Sequence, residues 1–144
     1  MKNVKNEYIE VGRIPANIAK AIRLKPAKIY VSTHHIQHIA NKHGVELQML
    51  GISAMDYIKY VCAAFNQIRK GSGDSIILIV YNEHINHTAC IDMNFSLSIK
   101  HGFWEIKTAE PRRYSTVKRK ALLWEAAKHT SNGRGTISFS QLRS

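Results

Sequence analysis

Residues 75–81 read SIILIVY, and residues 91–99 read IDMNFSLSI. The first run is apolar almost throughout, which predicts a strand buried on both of its faces. In the second run apolar and polar residues alternate strictly, which predicts a strand with one buried and one solvent-exposed face. Residues 103–108, FWEIKT, predict a return strand after a turn at His101-Gly102. We expect Pro111 to end this strand, because proline donates no ladder hydrogen bond.

The remaining elements follow from apolar spacing and from capping residues. Trp104, Ile106 and Thr108 are expected on one face of the return strand. Upstream, the expected elements are a helix over Ile14–Leu24, a strand over Lys28–Ser32, a helix over Thr33–His43 stopped by Gly44, and a helix capped by Ser53 that runs through Ile68 to Gly71. Downstream, Val117–Lys128 predicts a helix and Thr136–Phe139 a final strand. This order predicts an α+β fold, with N-terminal helices packed on a C-terminal antiparallel β-sheet.

Length and composition limit the class of protein. The 144 residues, 44% of them hydrophobic, suffice for a single domain over residues 1–144. No apolar run approaches the roughly 18 residues of a membrane span, and the N-terminus has no secretory apolar region, so we expect a cytoplasmic protein that binds no membrane. Cys62 and Cys90 lie in apolar stretches without metal-type spacing, which fits buried thiols in a reducing compartment.

The net charge of +11 indicates a polyanionic partner, nucleic acid first. The excess is concentrated in two flanks, Arg13–Gly44 without any acidic residue and the basic C-terminal segment 112–144. The two flanks are either solvated faces or the two sides of one phosphate-binding groove, and composition does not choose between them.

One candidate catalytic stretch is the helix that carries His38, Lys42 and His43. At about 100° per residue, His43 shares a face with Ile36, Ile39 and Ala40 and therefore points toward the core. A histidine at the edge of a core, near a helix end, is suited to acid–base chemistry at neutral pH. The alternative is a structural histidine bonded to a backbone carbonyl.

A second candidate stretch ends the return strand with Thr108, followed by Arg112, Arg113 and Tyr114. Guanidinium groups bind phosphate oxygens in a bidentate manner, and a hydroxyl at a strand end can hold a phosphate. The alternative is a solvated basic loop.

Metal and cofactor motifs are absent from the sequence. His34 and His38, or His84 and His87, have the spacing of zinc ligands, but no H-E-x-x-H motif or cysteine partner accompanies them. There is also no Walker loop, no G-x-G-x-x-G and no G-x-S-x-G, so we expect neither a metal nor a cofactor.

The two stretches resemble the phage-associated barnase/EndoU/colicin/RelE-like (BECR) nucleases, which are small prophage and toxin domains of the metal-independent ribonuclease superfamily. The matching patterns are H-I-x-x-K/R-H on a helix (His38, Ile39, Lys42, His43) and W-x-I-x-T-A-x-P at a strand end (Trp104, Ile106, Thr108, Ala109, Pro111). The resemblance covers about residues 12–111. It implies a barnase/RelE-like fold and an endoribonuclease that needs no cofactor.

Such an enzyme cleaves RNA by base-assisted attack of the 2′-hydroxyl on the adjacent phosphate, while an acid protonates the leaving 5′-oxygen. We hypothesise that His43 is the acid–base group, assisted by Lys42 or His38. The residues expected to act on the substrate are Arg112 and Arg113 on the phosphate, Thr108 as its positioning group, and Tyr114 on the nucleotide. RNA, with tRNA among the candidates, would be the substrate, and an acidic inhibitor protein a plausible partner.

Two other classes of protein fit the same residues. A non-catalytic nucleic-acid-binding protein would use the basic flanks alone and would show salt-sensitive binding without product. An enzyme fold that has become structural, for example a phage component, is the third alternative.

Overall fold

The computed structural model of the chain describes residues 7–85, 87–96 and 102–126. Helices and strands follow one another in the order β1 (Tyr8–Arg13), α1 (Ala16–Ala21), β2 (Lys28–Ser32), α2 (Thr33–Met49), α3 (Ala54–Ala64), β3 (Gln67–Lys70), β4 (Ile76–Val80), β5 (His87–Ser96), β6 (Phe103–Arg113), α4 (Tyr114–Val117) and β7 (Leu122–Glu125). The predicted strand at 136–139 and the predicted turn residue His101 lie outside the described residues.

The seven strands form one sheet in the order β1-β2-β6-β5-β4-β3-β7. The pair β2–β6 is parallel and the other pairs are antiparallel. The α+β class is therefore confirmed. The predicted order, with N-terminal helices followed by a C-terminal sheet, is not observed, because β1 precedes α1 and β2 separates α1 from α2. Strand β1 was not predicted, because it lies at the edge of the sheet, is mostly exposed and therefore has no run of buried apolar residues.

Strand β4 is buried on both faces, as its apolar sequence predicts. Ile76, Leu78 and Val80 belong to the main core, together with α1, α2 and α3. Ile77 and Ile79 alternate with them and pack on the opposite face, in a smaller cluster that includes Val117 of the α4 segment. The helical side and the α4 side are therefore opposite faces of one sheet.

A bulge changes the faces of β6. Asp92 of β5 pairs with Thr108, but its neighbour Met93 pairs with Ile106, so Lys107 is an extra residue in the ladder. Ile106 therefore enters the main core, whereas Thr108 lies on the opposite face beside Asp92. The prediction that Trp104, Ile106 and Thr108 share one face is wrong for this reason, since a bulge has no signature in an alternating pattern.

Pro111 does not end β6, which continues to Arg113. Strand β2 pairs with β6 only beside Trp104 and Glu105. At Pro111 no described strand pairs with the outer edge of β6, so among the described residues the missing N–H costs no ladder hydrogen bond there.

Helix α2 is longer than predicted. It begins after Ser32, whose side chain accepts from the His35 amide, and it passes through Gly44 to Met49. Buried residues continue along one stripe from Ile39 and His43 to Leu47, and this packing outweighs the cost of about 1 kcal/mol of a mid-helix glycine. His43 consequently lies in the middle of the helix, not in its last turn.

The predicted helix boundaries also fail on either side of β3. The Ser53 cap of α3 is confirmed, with the Asp56 amide as its donor. The helix ends at Ala64, because the following residues form β3 and pair with β4 and β7. The segment predicted as a helix from Val117 instead ends α4 and then forms β7, which pairs with β3; residues 127 and 128 lie outside the described part.

Candidate active site

Helix α2 contacts β6 at Glu105, where β2 still pairs with that strand, and at Glu110, beyond the last β2 pair. His35 Nδ1 lies 3.5 Å from Oε2 of Glu105, and further along the helix His43 contacts Glu110. Helix α2 follows β2 directly in the chain. Burial lowers the pKa of His35, and Glu105 opposes this shift only in part, so the neutral imidazole is favoured there.

His43 lies between two carboxylates. The residue is 9% exposed, so the prediction that it points inward is confirmed. Its Nδ1 lies 2.8 Å from Oε1 of Glu46, one turn further along α2. Its buried Nε2 lies 2.6 Å from Oε1 of Glu110 and has no hydrogen-bond partner among the described residues, so this contact is an ion pair only when the imidazole is protonated. Both ring nitrogens can donate together only as the imidazolium.

Arg112 lies on the other side of Glu110. Its Nε is 3.2 Å from Oε2 of Glu110, and its Nη2 pairs with Oδ1 of Asp92 on β5. Burial raises the pKa of the Asp92 carboxyl, and Arg112 counteracts this only partly. For the guanidinium, burial would lower the pKa, but Asp92, Cys90 and Glu110 together raise it.

One carboxylate therefore joins the two stretches that the sequence separates. Glu110 contacts His43 through one oxygen and Arg112 through the other. We refer to His43, Glu46, Asp92, Glu110 and Arg112 as the His–Glu–Arg cluster. It contains three carboxylates against one guanidinium and one imidazole, so it is a site of paired charges and not a free anion pocket.

The other predicted residues of α2 lie elsewhere on the helix. His38 and Lys42 are exposed, while His43 is buried. The three residues therefore differ in burial, while the role of each stays a prediction. Ala40, expected on the buried face, is exposed.

The predicted residues of β6 divide between its two faces. Thr108 pairs with Asp92, so its side chain lies on the same face as Glu110 and Arg112. Arg113 is exposed and, being the next residue after Arg112, points to the other side.

Tyr114 belongs to a different group of side chains. Its ring stacks on Tyr81 with centroids 4.0 Å apart, and its hydroxyl accepts from Gln67 and Arg69 of β3 at 3.1 and 3.0 Å. The structure therefore places Tyr114 with β3 and Tyr81, and its role at the nucleotide stays a prediction.

Sequence reasoning missed the three carboxylates of the cluster. Glu46 had a local signal, because it follows His43 by three residues and shares its side of the helix. Asp92 was on the predicted wet face of β5. Glu110 had no signal of its own, since its partner His43 is distant in sequence.

Within the described residues, α1 of the first basic flank and α4 of the second lie on opposite faces of the sheet. Ile18 and Ala19 anchor α1 in the main core, whereas Val117 anchors α4 on the opposite face. Across 7–85, 87–96 and 102–126, no three His, Cys, Asp or Glu side chains are grouped to hold a metal ion. No helix in those same ranges is long and apolar enough to cross a membrane.

Comparison with known proteins identifies no relative. No family model, no curated protein and no solved structure matches the chain.

Proposed function

We propose that the chain is a metal-independent endoribonuclease of the BECR type, with the fold that this resemblance implies. The observation that supports it best is the contact of His43 and Arg112 with opposite oxygens of Glu110. The residues that carry the resemblance lie in α2 and β6, and these two elements form the cluster together.

In this mechanism Glu110 acts as the base in its carboxylate form and His43 acts as the acid in its imidazolium form. The carboxylate takes the proton of the 2′-hydroxyl, and the 2′-oxygen then forms a bond to phosphorus. The bond from phosphorus to the 5′-oxygen breaks, and the imidazolium of His43 donates its proton to that oxygen. A 2′,3′-cyclic phosphate and a free 5′-hydroxyl result. Proton transfer from Glu110 to His43, 2.6 Å away, restores the starting state.

The neighbouring residues have supporting roles in this proposal. Arg112 fixes the orientation of Glu110, and Thr108 on the same face positions the phosphate. Lys42 and His38, exposed on α2 next to the buried His43, contribute positive charge when protonated at the entrance. Arg113 and Tyr114 are proposed to contact more distant parts of the RNA.

Labelled tRNA or total RNA incubated with the purified protein in EDTA tests the proposal. We expect cleavage that leaves cyclic phosphate ends, and no cleavage of DNA of the same sequence, which lacks the attacking hydroxyl. His43→Ala should abolish cleavage. His34→Ala is the matched control, because His34 is exposed and half a helical turn away from His43 in direction. Intact RNA, or cleavage that His43→Ala leaves unchanged, would overturn the assignment.

A prophage- or toxin-type ribonuclease acting in the cytoplasm should harm the cell that makes it. We therefore propose RNA as the substrate and an acidic inhibitor protein as a partner, because the net charge of +11 favours association with acidic surfaces. Induced expression of the wild type should slow growth, and expression of His43→Ala should not. Equal growth of the two strains at equal protein levels would argue against a toxin.

The ion pairs of Arg112 with Asp92 and Glu110 favour a second candidate function, that of a non-catalytic nucleic-acid-binding protein. Both carboxylates that contact Arg112 compete with a phosphate for it. That alternative predicts salt-sensitive RNA binding without product, and binding that His43→Ala does not alter.

A further inference from the structure

Arg69 of β3 is a buried guanidinium whose bonds hold the backbone of the chain after α4. It is 7% exposed, and its Nη1 donates to the carbonyls of Lys118 and Lys120 at 3.3 and 2.7 Å. Its Nη2 donates to the Tyr114 hydroxyl, and its Nε donates to Gln67. Within the described part of the chain no carboxylate forms an ion pair with Arg69. Its hydrogen bonds go to uncharged oxygens, two of them backbone carbonyls of the turn, so Arg69 holds the backbone of this turn in place.

The clamped turn, residues 118–120, reads Lys-Arg-Lys, and we call it the basic turn. The Lys118 amide donates to Tyr114 and the Lys120 amide to Val117, at 2.8 and 2.9 Å. The backbone is thus fixed, while the three side chains are exposed and make no ion pair with any residue in the described ranges. Three unneutralised cations on a fixed backbone bind phosphate with little ordering cost.

Strand register places the basic turn beside the His–Glu–Arg cluster. Arg69 pairs with Ile77, Ile77 with Asp92, and Asp92 with Thr108, so the four side chains form one row on one face of the sheet. At about 4.8 Å per strand, Asp92 lies roughly 10 Å from Arg69 along this row. Lys120 is near enough to Asp92 to counteract the burial that raises the pKa of its carboxyl.

The cluster needs positive charge that it does not itself supply. Its three carboxylates outnumber its guanidinium and imidazole, so a phosphate approaching Thr108 would meet no unpaired cation among them. The basic turn follows α4, on the face that carries Asp92, Glu110 and Arg112, whereas Lys20 and Lys59 belong to α1 and α3, which pack on the helical side.

We propose that the basic turn, held in place by Arg69, binds the backbone phosphates of a single-stranded RNA whose scissile group lies at the His–Glu–Arg cluster. This inference rests on the proposed ribonuclease function for the location of the scissile group. Arg69 is a positioning residue, and Lys118, Arg119 and Lys120 are the substrate-binding residues.

The test is the salt dependence of binding to a fluorescent, uncleavable 2′-O-methyl oligouridine, measured by anisotropy. The variant K118Q/R119Q/K120Q removes the three cations, and K20Q/K25Q/K59Q removes the same charge from exposed positions outside the turn. Each phosphate contact adds about 0.7 to the slope of log K against log salt for single strands. We expect the slope to fall by about 2 in the turn variant and to stay unchanged in the control. Equal slopes for the two variants would overturn the proposal.

Arg69→Gln tests the clamp separately, because it leaves all three cations of the turn in place. We expect a smaller salt slope than that of the wild type, with folding checked by thermal unfolding. If this variant fails to fold, the variant K118Q/R119Q/K120Q, which keeps Arg69, still tests whether the basic turn binds phosphate. A folded Arg69→Gln protein with the wild-type slope would overturn the positioning role.

Cleavage measured alongside separates this inference from the proposed function. With a cleavable RNA the turn variant should raise KM and leave kcat close to that of the wild type. If the turn variant cleaves RNA with the KM of the wild type, the basic turn does not bind the substrate, and the proposed ribonuclease function is unaffected. Turn-dependent binding without any cleavage by the wild type would support the phosphate-binding turn and refute the ribonuclease.

Discussion

Nε2 of His43, in the middle of α2, lies 2.6 Å from Oε1 of Glu110 near the end of β6. The contact joins α2, which follows β2 directly, to a part of β6 beyond the last residue that pairs with β2. It brings an imidazole of α2 against a carboxylate of β6, on the sheet face that also carries Thr108 and Asp92.

Replacement of Glu110 by Gln should remove the base and leave the shape of the site unchanged. We expect RNA cleavage to fall by about 100-fold or more, the usual contribution of a positioned acid–base group. Glu46→Gln is the matched control, because an amide oxygen can still accept from Nδ1 of His43 and Glu46 is half exposed. Single-turnover cleavage rates of the two variants on the same RNA test this prediction. An equal loss of cleavage rate in both variants would contradict a specific role of Glu110.

Asp92→Asn should change how stability depends on pH. Burial raises the pKa of Asp92 above its usual 3.8, so the native protein binds this proton more tightly than the unfolded chain. The contribution of Asp92 to the free energy of unfolding is therefore present at low pH and declines as pH rises from 3.8 through the raised native pKa.

The asparagine variant has no such contribution. Its stability relative to the wild type should therefore increase with pH across that interval. Urea unfolding at a series of acidic pH values measures the difference. A relative stability that falls with pH would mean that the pairing of Asp92 with Arg112 outweighs its burial.

Replacing Gly44 and Gly12 by alanine should change the free energy of unfolding in opposite directions. A Cβ on Gly44 would meet nothing within 4 Å, so Gly44→Ala in the middle of α2 should stabilise the protein by roughly 0.5–1 kcal/mol. A Cβ on Gly12 would lie 2.8 Å from the Cβ of Cys62, so Gly12→Ala should destabilise by about 1–3 kcal/mol. Chemical denaturation measures both, and a stabilising Gly12→Ala would contradict the close contact of β1 with α3.

The two cysteines should be unreactive in the folded protein. Burial raises the pKa of Cys62 to about 12 and that of Cys90 to about 11. Since the thiolate is the reactive form, Ellman's reagent should label the native protein only as fast as it unfolds, and both thiols at once in denaturant. Rapid labelling of the native protein would show that one of them is accessible.

Periodic patterns predicted the parts of the fold that local burial determines. The apolar run of β4 and the inward direction of His43 were confirmed. In β5 the alternation holds for buried Ile91 and Met93 against half-buried Asp92 and Asn94, and residues 97–99 of the predicted strand lie outside the described part. The Ser53 cap was also confirmed, because an N-cap is a contact within one turn of chain.

Predictions failed where a distant segment decides the outcome. The passage of α2 through Gly44 depends on the core that receives Leu47. Pro111 stays within β6 because, in the part of the chain that the structure describes, no strand pairs with the edge of β6 beside it. The bulge that turns Thr108 away from Ile106 is visible only in the register with β5.

By itself, the amino-acid sequence determined the strands β2, β4, β5 and β6, the inward histidine and the excess of positive charge, because each depends on neighbours within a few residues or on composition. Only the tertiary structure decided that Glu110 lies between His43 and Arg112 and that Arg69 clamps the basic turn on the same face. Contacts between sequence-distant side chains follow from strand order and register, and no local pattern encodes either.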